Sequence, residues 1–185
     1  MVGVTDYWIA AKNTQQKTVN SKRHMKIGLI SDTHDDLKSC YKACEAFKAD
    51  GVKTVLHAGD MISPFMVPVF EQAKLKLIAV FGNNDGDRVY LSQKFQEAGF
   101  ELHPGPYEFD LGSRRICMMH EPYCLESLVK SGNFDLVVYG HTHKLDIREE
   151  GTLVINPGEG CGYLSGKPTC AVVDLSDMSG RIIDL

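Results

Sequence analysis

A chain of 185 residues and 20.5 kDa has the length of one domain. Its 43% hydrophobic and 24% charged residues give the ordinary balance of a protein with a buried core. Twenty Lys and Arg against 24 Asp and Glu leave a net charge of −4, which argues against a sequence-independent nucleic-acid binder, since that needs a basic face to displace counterions. The longest clearly apolar run, Leu77 to Phe81, is far shorter than the ~20 residues of a membrane span. Six cysteines (Cys40, Cys44, Cys117, Cys124, Cys161, Cys170) include no Cys-x-x-Cys pair, and they read as reduced, mostly buried thiols of a cytoplasmic protein.

Residues 1–24 differ from the rest. One acid (Asp6) and four bases (Lys12, Lys17, Lys22, Arg23) give +3, which leaves −7 for residues 25–185. The stretch from Lys12 to His24 is polar and aperiodic, so 1–24 is expected to be a flexible extension, native or added, that carries the single tryptophan, Trp8. The pattern lacks a basic region ahead of a long apolar stretch, so it is not that of a secretory signal. Met25, followed at once by an apolar strand, has the form of a natural start.

From Met25 a strand–helix rhythm sets in. Ile27 to Ile30 predicts a buried strand. Asp35 or Asp36 caps a helix with apolar positions Leu37, Cys40/Tyr41, Cys44 and Phe47, which Asp50-Gly51 ends. Val52 to His57 is a second strand, a short helix follows from Pro64, and Leu75 to Phe81 is a third strand. A further helix carries Leu91, Phe95 and Ala98 and stops at Gly99. Beyond it the pattern turns to β. Tyr107–Leu111 and Arg114–Met119 form a hairpin around Gly112-Ser113, and a short helix at Leu125–Lys130 leads to the strand Leu136–Tyr139. Leu145–Glu149, Thr152–Ile155, Thr169–Leu175 and Arg181–Leu185 complete the chain. The α/β fold class that accommodates both halves is two mixed sheets packed as a sandwich with helices outside, a four-layer αββα arrangement.

Metal-ligating residue types fall just after the apolar strands. Asp32 and His34 follow the first strand, Asp60 the second, and Asn83 and Asp85 the third. His120 follows Met119, and His141 and His143 follow Tyr139. Loops at the carboxyl ends of strands converge on one edge of a sheet. Taken singly, each motif is ordinary: Asp-x-His and Gly-Asp occur by chance, and Gly82-Asn83-Asn84-Asp85-Gly86 reads as a turn. His141-Thr142-His143 says more, because alternate residues of an extended strand project the same way. The ordered set of five segments is the signal. An Asp/His/Asn mixture without thiolate suits Mn²⁺, Fe²⁺, Co²⁺, Ni²⁺ or Zn²⁺, with Mn²⁺ the first choice.

Asp32-x-His34, Gly59-Asp60, Gly82-Asn83-x-Asp85, His120 and Gly140-His141-Thr142-His143, in that order, resemble the signature of the calcineurin-like metallophosphoesterases. The small size and Asn156-Pro157-Gly158-Glu159 are similar to the YfcE-like phosphodiesterase branch. The resemblance covers residues 25–185, taken as the catalytic domain. It implies two divalent ions, one held by Asp32, His34, Asp60 and His143 and the other by Asp60, Asn83, His120 and His141, with Asp60 bridging. The implied chemistry is attack on phosphorus by metal-bound hydroxide, with Asp60, Asn83, Asn84 and His120 as the catalytic group. Two carboxylates, two dications and one hydroxide sum to +1, which matches the single charge of a diester.

Asn84 stands where many members of the family have His, and an amide donates a hydrogen bond but no proton. This predicts weak monoesterase activity and a preference for diesters with acidic leaving groups. Glu121 replaces a common Gly after His120 and narrows the site. His57 is expected to be a packed structural histidine, His103 solvated, Arg88 an exposed helix-start residue, and Asp85 a partner that orients a histidine. Cys161 and Lys167 fall in a loop that borders the site. The expected substrate is a small phosphodiester, with no membrane partner, nucleic acid disfavoured by the −7 balance, and homo-oligomerisation open. The rival reading is a non-catalytic metal-binding scaffold on the same fold, like the metallophosphoesterase-like subunit of the retromer coat. The complete set of seven ligand residues favours the enzyme.

Overall fold

Lys26 and the apolar run after it form strand β1 (Lys26–Ile30) of a computed structural model that describes residues 25–185; the expected extension 1–24, with Trp8, lies outside the described residues. Helix α1 (Leu37–Ala49) follows, and Asp36 is its cap, accepting the Lys38 N–H. Its buried face is Cys40, Ala43, Cys44 and Phe47. Leu37 and Tyr41, which were expected in that stripe, are more than 40% exposed, because the face that meets the sheet is rotated by part of a turn. Then come β2 (Thr54–His57), a 3₁₀ turn (Pro64–Met66), α2 (Val67–Ala73), β3 (Lys76–Val80) and α3 (Arg88–Glu97). Strand β4 (Glu101–His103) was not expected from the sequence. The hairpin β5 (Tyr107–Leu111) and β6 (Arg114–Met118), α4 (Leu125–Ser131), β7 (Leu136–Val138), β8 (Leu145–Glu149), β9 (Leu153–Pro157), β10 (Thr169–Asp174) and β11 (Ser179–Asp184) complete the order.

Two mixed sheets result, ordered β11-β10-β1-β2-β3-β4 and β5-β6-β7-β9-β8. In the first, β1 to β4 are parallel and β10 joins β1 antiparallel; in the second, β6, β7 and β9 are parallel. Period-two alternation sorts side chains between layers. On β6, Ile116 and Met118 face the core between the sheets, where they meet Leu29, Leu56, Val138 and Ile155. Cys117 and the following Met119 face α4 with Leu125 and Val129. The outer face of the first sheet packs under α1, α2 and α3 around Phe47, Phe70 and Phe95. These are the four layers expected. Among the described residues no helix is long and apolar enough to cross a membrane.

Candidate metal centre

The parallel strands of both sheets deliver their carboxyl ends to one place, and backbone hydrogen bonds stitch the departing loops together. Asp32 N–H donates to Gly59 O (3.0 Å), His34 N–H to Asp60 O (3.1 Å), Gly140 N–H to His120 O (3.0 Å) and Cys161 N–H to Asp32 O (3.1 Å). Within these loops Asp32, His34, Asp60, His141 and His143 all adopt positive φ, between 41° and 67°. Asp, Asn and His tolerate this left-handed region better than other side chains, yet each instance costs free energy that the surrounding structure offsets. The loops also need bare backbone beneath them. A Cβ on Gly82 would fall on the Asp60 carboxylate and its backbone nitrogen, and one on Gly140 would fall on the Ser31 hydroxyl.

All seven expected ligand residues meet here. Asp60 Oδ2 lies 3.6 Å from His34 Nε2 and 3.3 Å from His120 Nε2. His143 Nε2 lies 3.4 Å from Asp32 Oδ1. Asn83 Oδ1 lies 3.0 Å from His120 Nε2 and 2.9 Å from His141 Nδ1. Two triads, Asp32–His34–His143 and Asp32–Asp60–His120, each keep one oxygen or nitrogen per residue within 4.8 Å of the others. His141 and His143 do not project alike as on an extended strand. Both backbones are left-handed, so His141 turns to Asn83 and His120 while His143 turns to Asp32 and His34.

Asp32, Asp60 and His120 are buried, and their electrostatics call for positive charge. Burial pushes the Asp32 carboxyl up, partly opposed by Ser31, His120 and His143. Burial would also raise Asp60, but His120 and Asn84 outweigh it and hold its carboxyl well below the usual range. Burial opposes a proton on His120, and the Asp60 carboxylate outweighs that and raises its pKa. The Nδ1–H of His120 donates to Ala58 O at 2.8 Å, which leaves Nε2 directed at Asp60 and Asn83. His34 Nε2 is buried with no hydrogen-bond partner among the described residues. Two buried carboxylates, an amide oxygen and ring nitrogens without donors of their own, all aimed inward, fit a divalent transition ion.

Several neighbours hold this arrangement. His57, wholly buried and pushed down to about 3 by burial, is a structural histidine as expected. Its Nδ1 accepts the Gly59 N–H, so its Nε2–H donates to Thr33 Oγ1 at 3.0 Å. Among the described residues Asp85 orients no histidine; it accepts the N–H groups of Ile62 (2.7 Å) and Gly82 (2.6 Å), because those loop amides have no ladder partner. Arg88 is the exposed first residue of α3, as expected, and is also engaged. It donates to Gly82 O at 2.9 Å, with its guanidinium 4.8 Å above the Phe81 ring. Asn84, exposed on one side, turns both its backbone N–H and its Nδ2 to Asp60, at 2.8 and 2.7 Å. Glu121 Oε1 takes the Tyr123 hydroxyl at 2.9 Å. His103 is half-buried rather than solvated, stacked 3.7 Å from Tyr107. Cys161 is buried, and burial lifts its thiol to about 12.

Sequence reasoning missed the roles of Glu159 and Asn156. Glu159 is buried and accepts the N–H groups of Leu164 (2.8 Å) and Ser165 (2.7 Å). Asn156 Nδ2 donates to Gly140 O at 2.9 Å and fixes the loop that carries both histidines. The signal was available, because Asn156 stands at the carboxyl end of the parallel strand β9 and Glu159 just beyond it, as the other site residues stand at the ends of theirs.

Comparison with known proteins agrees with the geometry. The family described as "Calcineurin-like phosphoesterase superfamily domain" matches residues 25–178. A phosphodiesterase of Methanocaldococcus jannaschii is 42% identical over 165 residues, 87% of this chain and 99% of the relative. A solved archaeal phosphodiesterase superposes with a TM-score of 0.82 at 40% identity, over 87% of this chain and 100% of the other. The fold alone is shared with Vps29 of Cryptosporidium parvum (TM-score 0.62, 23% identity, 88% and 97% covered) and with the phosphoesterase YfcE of E. coli (0.57, 21%, 86% and 98%).

Proposed function

This chain belongs to the calcineurin-like phosphoesterase superfamily, and from that premise we propose that it hydrolyses a small phosphodiester with the aid of two divalent ions. Asp32, His34, Asp60 and His143 would hold one ion; Asp60, Asn83, His120 and His141 would hold the other. Mn²⁺ is the first choice, and Ni²⁺, Fe²⁺, Co²⁺ and Zn²⁺ suit the same donors. One observation carries this reading: Asp60 Oδ2 stands between His34 Nε2 and His120 Nε2, at 3.6 and 3.3 Å. When bound, such ions acidify water and neutralise charge that grows on the phosphoryl oxygens.

The chain's own residues do the positioning. His120, tied through Nδ1 to Ala58 O, presents Nε2 inward. Asn84 and His120 keep Asp60 ionised. The Nδ2 of Asn84 donates to Asp60, and an amide N–H, whatever it bonds, transfers no proton to a departing oxygen. That favours substrates whose leaving group is acidic enough to depart unaided, and the phosphodiesterase name of the 42% identical relative supports a diester. The six cysteines, all free, suit a reducing cytoplasm.

The test is hydrolysis of bis(p-nitrophenyl) phosphate by chelator-treated protein with and without added Mn²⁺. Loss on chelation and recovery on addition are expected, with Asp60→Asn the most damaging substitution at the site. Full activity after chelation overturns the proposal.

A further inference from the structure

Two cavities flank the candidate centre, and they differ in size and charge. Beside His143 lies one of 290 Å³, lined by Lys144, Leu145, Gly158, Lys167 and Asp184 with His143 and Glu159. Beside His120 lies one of only 80 Å³, which Glu121 and Tyr123 border with Phe81 and Pro106. The imidazole of His143 is shared: its Nε2 is 3.4 Å from Asp32 and the ring also lines the larger cavity. The larger cavity therefore begins one ring's width from the centre, within the reach of a substituent on a phosphate held there.

The wall of that cavity selects for charge. Leu145, 54% exposed and lying over Gly158, offers an apolar surface. Lys144 and Lys167 stand at it with no acid within ion-pair distance of either ammonium among the described residues. Of the two acids in the lining, Glu159 keeps its charge but is buried, with its oxygens turned to the N–H groups of Leu164 and Ser165, so at the exposed part of the wall two lysines stand with one acid, Asp184. On the other side, Glu121 places a carboxylate at the mouth of a space too small for more than a compact group. We infer that the substrate is an asymmetric diester: a larger arm carrying its own anionic group lies in the Lys144–Lys167 cavity, and a small uncharged arm lies beside His120. The inference rests on the proposed phosphodiesterase reading and narrows its substrate class.

A matched pair of esters tests it: the p-nitrophenyl ester of thymidine 5′-phosphate, with and without a 3′-phosphate, assayed with Mn²⁺. The two share reacting centre and leaving group and differ by one anionic substituent. We expect kcat/KM to favour the 3′-phosphorylated ester by about fivefold or more, and each of Lys144→Ala and Lys167→Ala to cut that ratio by up to about fivefold, the size of a partly exposed ion pair. Lys167→Ala, distant in sequence from every candidate ligand, guards against an indirect effect of Lys144→Ala on His143. Turnover of both esters at equal kcat/KM, or a preference that neither substitution alters, overturns the subsite and leaves the phosphodiesterase reading standing. Turnover of neither ester overturns both.

Discussion

Oε1 of Glu159 lies 3.0 Å from Nδ1 of His143, though not aligned as a hydrogen bond, while the other ring nitrogen faces Asp32. The carboxylate is buried. Burial alone would raise it, but Ser165 and the backbone N–H groups of Leu164 and Ser165 outweigh that and bring it down to about 2. A fixed negative charge therefore stands behind a candidate ligand ring, where such a partner orients the ring.

Glu159→Gln keeps an acceptor for the loop amides and removes that charge. The Kd for Mn²⁺, read by calorimetry, is expected to rise about tenfold, the lower end of what loss of a ligand's partner costs. An unchanged Kd would show that Glu159 serves the loop alone.

Asn84→His places a proton donor where an amide now clamps Asp60. The ratio of p-nitrophenyl phosphate to bis(p-nitrophenyl) phosphate hydrolysis is expected to rise, by about tenfold or more if the imidazole acts as a general acid. A ratio that stays put contradicts the leaving-group argument.

Gly82→Ala adds one methyl group where the Asp60 carboxylate and backbone nitrogen already lie. The fold has room only by moving Asp60. A loss of about 1–3 kcal/mol in urea unfolding is expected, as for other overpacked positions, together with weaker Mn²⁺ binding. Wild-type metal affinity in this variant would mean that Asp60 is not a ligand.

Phe47 is fully buried on α1 and lies flat against Gly28, whose missing side chain makes room for the ring. Phe47→Ala should cost about 3–5 kcal/mol in denaturant unfolding. A cost below about 1 kcal/mol would place the ring outside the principal core.

Much of this was legible because burial leaves a period in the sequence. Strands buried on both faces read as continuous apolar runs, so β1, β2 and β3 stood out. Strand β4 did not: Glu101, Leu102 and His103 are each half-buried at the sheet edge, with neither run nor alternation to mark them. On α1 the stripe was right at Cys40, Cys44 and Phe47 and wrong at its margin, where exposed Leu37 and Tyr41 were counted in and buried Ala43 was not. The candidate ligands were readable from their place after strands. The direction of each ring was not: His141 and His143 part company through two left-handed residues, a backbone choice that no side-chain pattern announces. The amide-binding roles of Asp85 and Glu159 depend on loops brought together by the fold, at separations that local reading does not span.

The pairing of two ions around Asp60 is most directly tested by counting metal bound per chain as Mn²⁺ is titrated into chelator-treated protein, with bis(p-nitrophenyl) phosphate hydrolysis followed on the same samples. Two ions per chain are predicted, with hydrolysis rising in step with the second and Asp60→Asn losing both. Saturation at one ion with full activity, or full activity with none, would contradict it.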